Sequence, residues 1–290
     1  MILNVKNIIR LLLNRNHKYV FYSESKSYQK YTISFIKVLA EENKEIIYIS
    51  SDKNDKILHK NVKNIYVGNG LIRIFVFLLI KSKYFFLTVT DLGNNILKKN
   101  LNVSNYVYIF HAAVSVHKAY THFAFNNYDT ILCVGTHHNK EISKLENFYN
   151  LKKKKLINCG YFYFDYLKQK VNLKLETDYI LIAPSWNYSK DNFLNKECEN
   201  ILNYLLKRKN KIIFRPHPEH FKRSKLKLDN IENKFKKDEN FFFDYSQDNH
   251  PSLERSHTLI TDNSGIAIEF LLFFKRPVIY FDNYPKIHNK

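Results

Sequence analysis

Residues 212–221 read IIFRPHPEHF, placing His217 between two prolines directly after a β-branched run. Each proline fixes its own φ at about −65° and biases the residue before it toward extended geometry. His217 is therefore expected in a stiff, extended turn, with Arg215 two residues earlier to offer charge to a phosphate. An imidazole held still in this way can donate to, or act as an acid toward, a departing anion. The plainer alternative is a structural turn whose histidine caps a neighbouring carbonyl. His220 reads as solvent-facing.

Three other segments combine polar chemistry with the end of an apolar run. In TDNSG, residues 261–265, Asp262 or Asn263 can cap a helix, Ser264 offers a hydroxyl and Gly265 lets a ligand approach the backbone. Such a helix start suits a diphosphate, and Glu269, about one turn on, could accept from ribose hydroxyls. A plain capped helix with a solvated Glu269 is the alternative. In APSW, residues 183–186, Ser185 takes a similar place on the donor side. In YIFHAAVSVHKAY, His111 follows a strand-like run, where an imidazole suits a general base taking a proton from a hydroxyl. A satisfied core histidine is the alternative there, and His117 reads as a helix-surface residue.

The elements that must position these residues alternate in type. Strands are expected at 19–22, 45–49, 64–67, 84–89, 106–110 and 130–134, with helices over 27–42 and 138–147. After a polar stretch at 165–178 the alternation restarts, with strands at 179–183, 211–214, 240–243, 258–261 and 277–281 and helices over 192–207 and 266–274. Strand–helix alternation implies parallel sheets covered on both faces. All six prolines lie at or after Pro184, which supports a boundary near residue 170. The fold class is thus α/β, with two doubly wound Rossmann-like domains, 1–168 and 176–290, facing each other across a cleft in a GT-B-like manner. In such sheets ligands bind beyond the carboxyl ends of the strands, where His111, Ser185, His217 and the TDNSG segment all fall.

The 290 residues carry a formal net charge of +19, which attracts polyanions, although a lysine-rich genome would leave the same mark. The amphipathic start, with Lys6, Arg10 and Arg15 among Ile2, Leu3, Val5, Ile8 and Ile9, reads either as a first core helix or as a membrane-surface helix. No apolar run reaches the roughly 18 residues that span a bilayer. Cys133, Cys159 and Cys198 are odd in number and widely spaced, which points to a reducing, cytoplasmic compartment. No metal-ligand spacing appears, no third glycine follows Gly68-Asn69-Gly70, and Ser264 lies outside any G-x-S-x-G elbow. Zinc, nicotinamide and hydrolase-elbow chemistry are accordingly not expected. The lysine run at 152–155 and the HFKRSKLKL segment read as solvated basic faces, and aromatic–basic interleaving of an RNA module is missing, so no nucleic-acid partner is expected.

From residue 106 to its end the chain resembles the CDP-glycerol glycerophosphotransferase family, enzymes that prime or polymerise teichoic-acid-type chains. The resemblance rests on His111, on YDTILCVGTHHNKEI (128–142), on FRPHPE (214–219) and on ITDNSGIAIEFLLFFKRPVIYF (260–281). It departs after His111, where Ala112-Ala113-Val114-Ser115 replaces the family's glycine and T-P-L-K-like run, and relatives usually continue beyond the last strand with bracing helices. The resemblance implies that His111 and His217 form the catalytic pair and that Ser264 and Gly265 hold donor phosphates. No cofactor and no metal are expected, since fixed cationic and amide donors can do a cation's work. It also implies a CDP-glycerol-like donor and a hydroxyl acceptor on a lipid-linked or polymeric glycan, used in the cytoplasm or peripherally on the inner face of the membrane. An anionic membrane surface would be a further partner. A nucleotide-sugar-dependent GT-B glycosyltransferase for capsule or surface polysaccharide is the alternative on the same diphosphate site. A basic polyanion-binding scaffold is the non-enzymatic one.

Overall fold

The computed structural model describes residues 5–14, 17–93, 97–187 and 189–283; Ile2, Leu3 and Arg15 of the amphipathic start lie outside them. The chain forms two compact units, the first ending at Tyr166 and the second beginning at Leu167, inside one helix.

The first unit is built on strands β1 (His17–Ser23), β2 (Ile46–Ser50), β3 (Val62–Tyr66), β4 (Ser82–Leu87), β5 (Val103–Ile109), β6 (Thr130–Cys133) and β7 (Lys155–Asn158). Its helices are α1 (Val5–Leu13), α2 (Lys26–Gln29), α3 (Ile33–Glu41), α4 (Leu71–Leu79), α5 (Val116–Ala119), α6 (Thr136–Phe148) and α7 (Phe162–Lys170). The seven strands pair in parallel in the order β3-β2-β1-β4-β5-β6-β7. The winding reverses between β1 and β4, and open parallel sheets in general bind ligands beyond the carboxyl ends of strands at such a reversal. Burial on both faces explains the near-continuous apolar runs: Tyr106 and Tyr108 of β5 face one core, Val107 and Ile109 the other.

The second unit has β8 (Tyr179–Ala183), β9 (Lys211–Phe214), β10 (Phe241–Phe243), β11 (Ser256–Thr261) and β12 (Val278–Tyr280), parallel in the order β10-β9-β8-β11-β12. Its helices are α8 (Phe193–Lys196), α9 (Cys198–Leu206), α10 (Pro218–Arg223), α11 (Lys225–Phe235), α12 (His250–Arg255) and α13 (Gly265–Glu269), the last continuing as a π-helical turn, Phe270–Phe274. Here the winding reverses between β8 and β11.

Two expected helices are each broken in two. The first bends after α2, folding Lys30 against the Tyr31 and Tyr163 rings at 5.4 and 5.2 Å. The second divides into α8 and α9, with the Asn192 side chain capping α8 through the Asn195 amide. Strand β7, which takes Lys155 from the lysine run, was not expected: it is an edge strand with a largely exposed K-L-I-N pattern and no apolar face to betray it. No helix among the described residues is long and apolar enough to cross a membrane.

Candidate active site

In the first unit β5 runs into buried Phe110 and releases the chain at His111. Three tyrosine rings stand edge-on or tilted to that imidazole: Tyr28 at 5.6 Å, Tyr31 at 6.1 Å and Tyr120 at 6.4 Å between centroids. The Tyr161 hydroxyl donates to the His111 carbonyl at 3.1 Å. The Nδ1 atom is shut away from solvent and has no hydrogen-bond partner among the described residues, as is the Thr88 hydroxyl just past β4. Burial pushes the His111 imidazole down to about 4, with the Thr88 backbone acting in the opposite direction. The ring is therefore neutral at near-neutral pH and able to accept a proton. Tyr28 and Tyr31 reach it from the segment after β1, so His111 stands beside the reversal point of its sheet. Neither tyrosine was singled out by sequence: in a chain with 21 tyrosines, nothing marks these.

In the second unit the RPHP segment prolongs β9 alongside β8. Arg215 N donates to Ile182 O at 2.9 Å and His217 N to Pro184 O at 3.2 Å. Pro216 occupies the alternate position between these two donors, where its missing N–H costs the ladder nothing. His217 then takes φ −58° and ψ 142°, and Pro218 enters the first turn of α10. The exposed imidazole of His217 accepts at Nδ1 from the Glu219 amide at 3.2 Å, so in the neutral ring the proton resides on Nε2. His217 thus caps a backbone amide, where a carbonyl was the alternative considered.

Across the reversal point, Asp262 does not cap the following helix. Its carboxylate takes the Ser185 amide and the Ser185 hydroxyl, each at 2.7 Å, because β8 and β11 are adjacent and end level with one another. Ser264 holds the N-cap position of α13 instead, in extended geometry (φ −120°, ψ 142°), without a side-chain cap bond. Ser264, Asn263 and Gly265 are half-buried. Glu269 closes α13 as a buried carboxylate that accepts from the Asn249 amide at 3.2 Å, so it is not the solvated residue of the alternative reading.

Two further residues depart from expectation. His220 is fully buried, because α10 turns it inward: Nε2 lies 2.9 Å from Ser185 O, Nδ1 3.3 Å from Ser224 Oγ, and Trp186 sits edge-on at 5.1 Å. Arg215 is also buried, its guanidinium committed to the Asp244 carboxylate, to Ser246 Oγ and O at 2.9 Å, and to Gln247 O at 3.4 Å. Burial would raise the Asp244 carboxyl, but Arg215 and the Ser246 and Ser252 hydroxyls outweigh it and hold it below its ordinary value. The charge assigned to phosphate from sequence is thus balanced inside the unit. What the fold gathers at the β8–β11 ends is Ser185, Trp186, His217, His220 and Asp262; Arg215 turns toward the β10 end and Glu269 toward α12. Among the described residues, no three His, Cys, Asp or Glu side chains converge as metal ligands.

Comparison with solved structures shows the same two-sheet, GT-B-like fold. The wall teichoic acid polymerase TagF aligns with a TM-score of 0.57 at 15% identity, over 91% of this chain and 69% of TagF. Methanocaldococcus jannaschii UDP-GlcNAc 2-epimerase, in complex with UDP-GlcNAc and UDP, aligns with a TM-score of 0.64 at 14% identity, over 93% and 85% of the two chains. The Rickettsia bellii UDP-N-acetylglucosamine 2-epimerase gives 0.61 at 12% identity, over 93% and 80%. No curated protein matches the chain by sequence. The family model described as CDP-Glycerol:Poly(glycerophosphate) glycerophosphotransferase matches residues 5–284, nearly the whole length, and the chain belongs to that family.

Proposed function

We propose that the protein transfers glycerol phosphate, or a similar phospho-polyol, from a CDP-activated donor to a hydroxyl acceptor in cell-surface polymer synthesis. One observation carries this reading beyond family membership: each sheet bears a histidine beside its reversal point, half-buried with its Nδ1 shut from solvent and neutral in one unit, exposed and backbone-capped in the other. In the reaction the acceptor oxygen forms a bond to the β-phosphorus as the bond from that phosphorus to CMP breaks. The hydroxyl proton passes to neutral His111. A ring with so low a pKa is a weak base toward a free alcohol, so transfer occurs late, once the forming O–P bond has acidified the hydroxyl. His217, with its proton on Nε2, donates to the phosphate oxygens as charge builds on departing CMP. Ser264 and Gly265 face the diphosphate, while Ser185 and Asp262 hold the two strand ends at a fixed spacing. Arg215 acts by bracing the loop after β10, and Glu269 accepts from the ribose directly or orders Asn249 beside it.

The acceptor is a lipid-linked or polymeric glycan presented at the inner face of the membrane. Helices α1 and α4 support this location. Ile8 and Leu11 bury one side of α1 against the core, yet Val5 and Ile9, next to Lys6 and Arg10 in the sequence, and Leu71, Phe75 and Leu79 of the contacting helix α4 are each at least half exposed. Apolar side chains next to cations suit an anionic bilayer surface.

The test is CMP release from CDP-glycerol with a synthetic poly(glycerophosphate) oligomer as acceptor, alongside thermal-shift screening of CDP-glycerol against CMP- and UDP-sugars. Release of CMP and a shift selective for CDP-glycerol are expected. A shift with a UDP-sugar alone, without CMP release, overturns the reading.

A further inference from the structure

The loop after His111, residues 112–115, has no regular structure to hold it, yet α6 grips the chain on both sides of that histidine. The His138 ring lies against Phe110, the residue before His111, at 3.9 Å between centroids. Its Nδ1 accepts from the Val134 amide at 3.4 Å, so the proton is on Nε2, which donates to Val114 O at 2.8 Å. One fully buried side chain therefore touches positions 110 and 114, bracketing His111.

Glu141, three residues along the same face of α6, extends the grip. Its carboxylate accepts from the Ser115 hydroxyl at 2.9 Å, from the His117 amide at 3.3 Å and from the Val116 amide. With Tyr161 bonded to the His111 carbonyl, the strand exit and the loop behind it are fixed at successive points from 110 to 117.

We infer that His138 and Glu141 are positioning residues: they set where the His111 imidazole stands relative to the acceptor hydroxyl and touch neither substrate themselves. This rests on the proposed role of His111 as the base. A base displaced by about 1 Å loses on the order of a hundredfold in rate, so the precision of this loop matters far more than its stability alone would suggest.

The experiment compares kcat for CMP release, with the poly(glycerophosphate) oligomer as acceptor, against calorimetric affinity for CDP-glycerol, in full-length variants shown to be folded by near-ultraviolet circular dichroism. His138→Ala and Glu141→Ala are expected to lower kcat about tenfold or more while donor affinity stays at the wild-type value. His138→Gln, whose amide can still donate to Val114 O, should recover to within about threefold of wild type. Glu141→Ala, on a half-buried site, keeps the test open if His138→Ala does not fold. Wild-type kcat in the folded alanine variants, with His111→Ala inactive, overturns the inference alone. A parallel fall in kcat and donor affinity, without rescue by His138→Gln, overturns it too, since that is what general loosening would produce. A fully active His111→Ala variant removes the base assignment on which the inference stands.

Discussion

Ser185 and Asp262 share two hydrogen bonds of 2.7 Å, joining the ends of β8 and β11 across the point where the second sheet reverses its winding. Ser185 spends its remaining polar group, the carbonyl, on His220 from α10. Three elements of the proposed donor site therefore meet at one serine. Asp262→Ala would leave a buried amide and hydroxyl unpaired, a loss of about 1–3 kcal/mol. Urea unfolding should show that decrease, and CDP-glycerol affinity should fall by about tenfold as the strand ends part. Asp262→Asn, which keeps an acceptor, should lose less on both measures; unchanged stability in Asp262→Ala would remove the bridge from the explanation.

Removing either imidazole should stop turnover without unfolding the chain. General acid–base catalysis contributes about 10²–10⁴-fold, so His111→Ala and His217→Ala should each reduce CMP release by at least about a hundredfold. His217→Ala also leaves the Glu219 amide uncapped, which costs about 1 kcal/mol in α10. His217→Asn can still accept from that amide, so stability should return while activity does not. Activity in His217→Asn near that of wild type would mean that the ring acts only as a cap.

How much of this was legible in the sequence depends on whether a signal is local. The β8 and β9 boundaries followed from short buried runs ended by proline, and His217 took the extended geometry its flanking prolines impose. The partners of Arg215 and Asp262 were not legible, because Asp244 and Ser185 lie just past the ends of other strands, 29 and 77 residues away. Nor could the direction of His220 be read, since a six-residue helix carries too little periodicity to tell an inward histidine from an outward one. The tyrosines around His111 were hidden for a compositional reason, in a chain with an aromatic fraction of 16%.

Arg215 offers a sharp choice between a phosphate ligand and a structural ion. Removing one partner of a buried ion pair leaves the other charge uncompensated and costs about 3–5 kcal/mol. Arg215→Ala should therefore destabilise the second unit by about that amount, with Asp244 left buried, and the loop 244–247 should become protease-sensitive. If instead Arg215→Ala unfolds at the wild-type urea concentration and only CDP-glycerol affinity falls, the guanidinium serves phosphate after all.

Acid should weaken the fold earlier than carboxylate titration would. Burial pushes both His111 and His138 from 6.5 down to about 4, so between those values the unfolded chain binds more protons than the folded one. Stability then rises with pH through that window and falls as pH is lowered through it, by at most about 1.4 kcal/mol per pH unit for each histidine. Urea midpoints measured across the window should show this slope, and His138→Gln should reduce it by about one proton. Turnover should likewise hold as pH drops past 6.5 and fail closer to 4, where His111 itself protonates. A stability profile flat across the window would show that neither ring is held neutral by burial.

The exposed face of α1 and α4 can be tested by vesicle flotation. Val5 and Ile9 lie one helical turn apart, as do Leu71 and Phe75, and each side chain is at least half exposed while its helix packs inward through other residues. Completing the burial of such a side chain in a bilayer is worth about 1 kcal/mol, roughly half the value for full burial. Ile9→Glu combined with Phe75→Glu should therefore reduce partitioning onto phosphatidylglycerol vesicles by about tenfold or more, since both apolar contacts are lost and two like charges are added. Because Lys6 and Arg10 supply the electrostatic part, raising the salt should weaken the wild type further, and zwitterionic vesicles should bind it poorly. CMP release to the water-soluble poly(glycerophosphate) oligomer should be unchanged in the double variant, because a soluble acceptor does not need the bilayer to present it. Equal flotation of variant and wild type would overturn the proposed membrane role of this face.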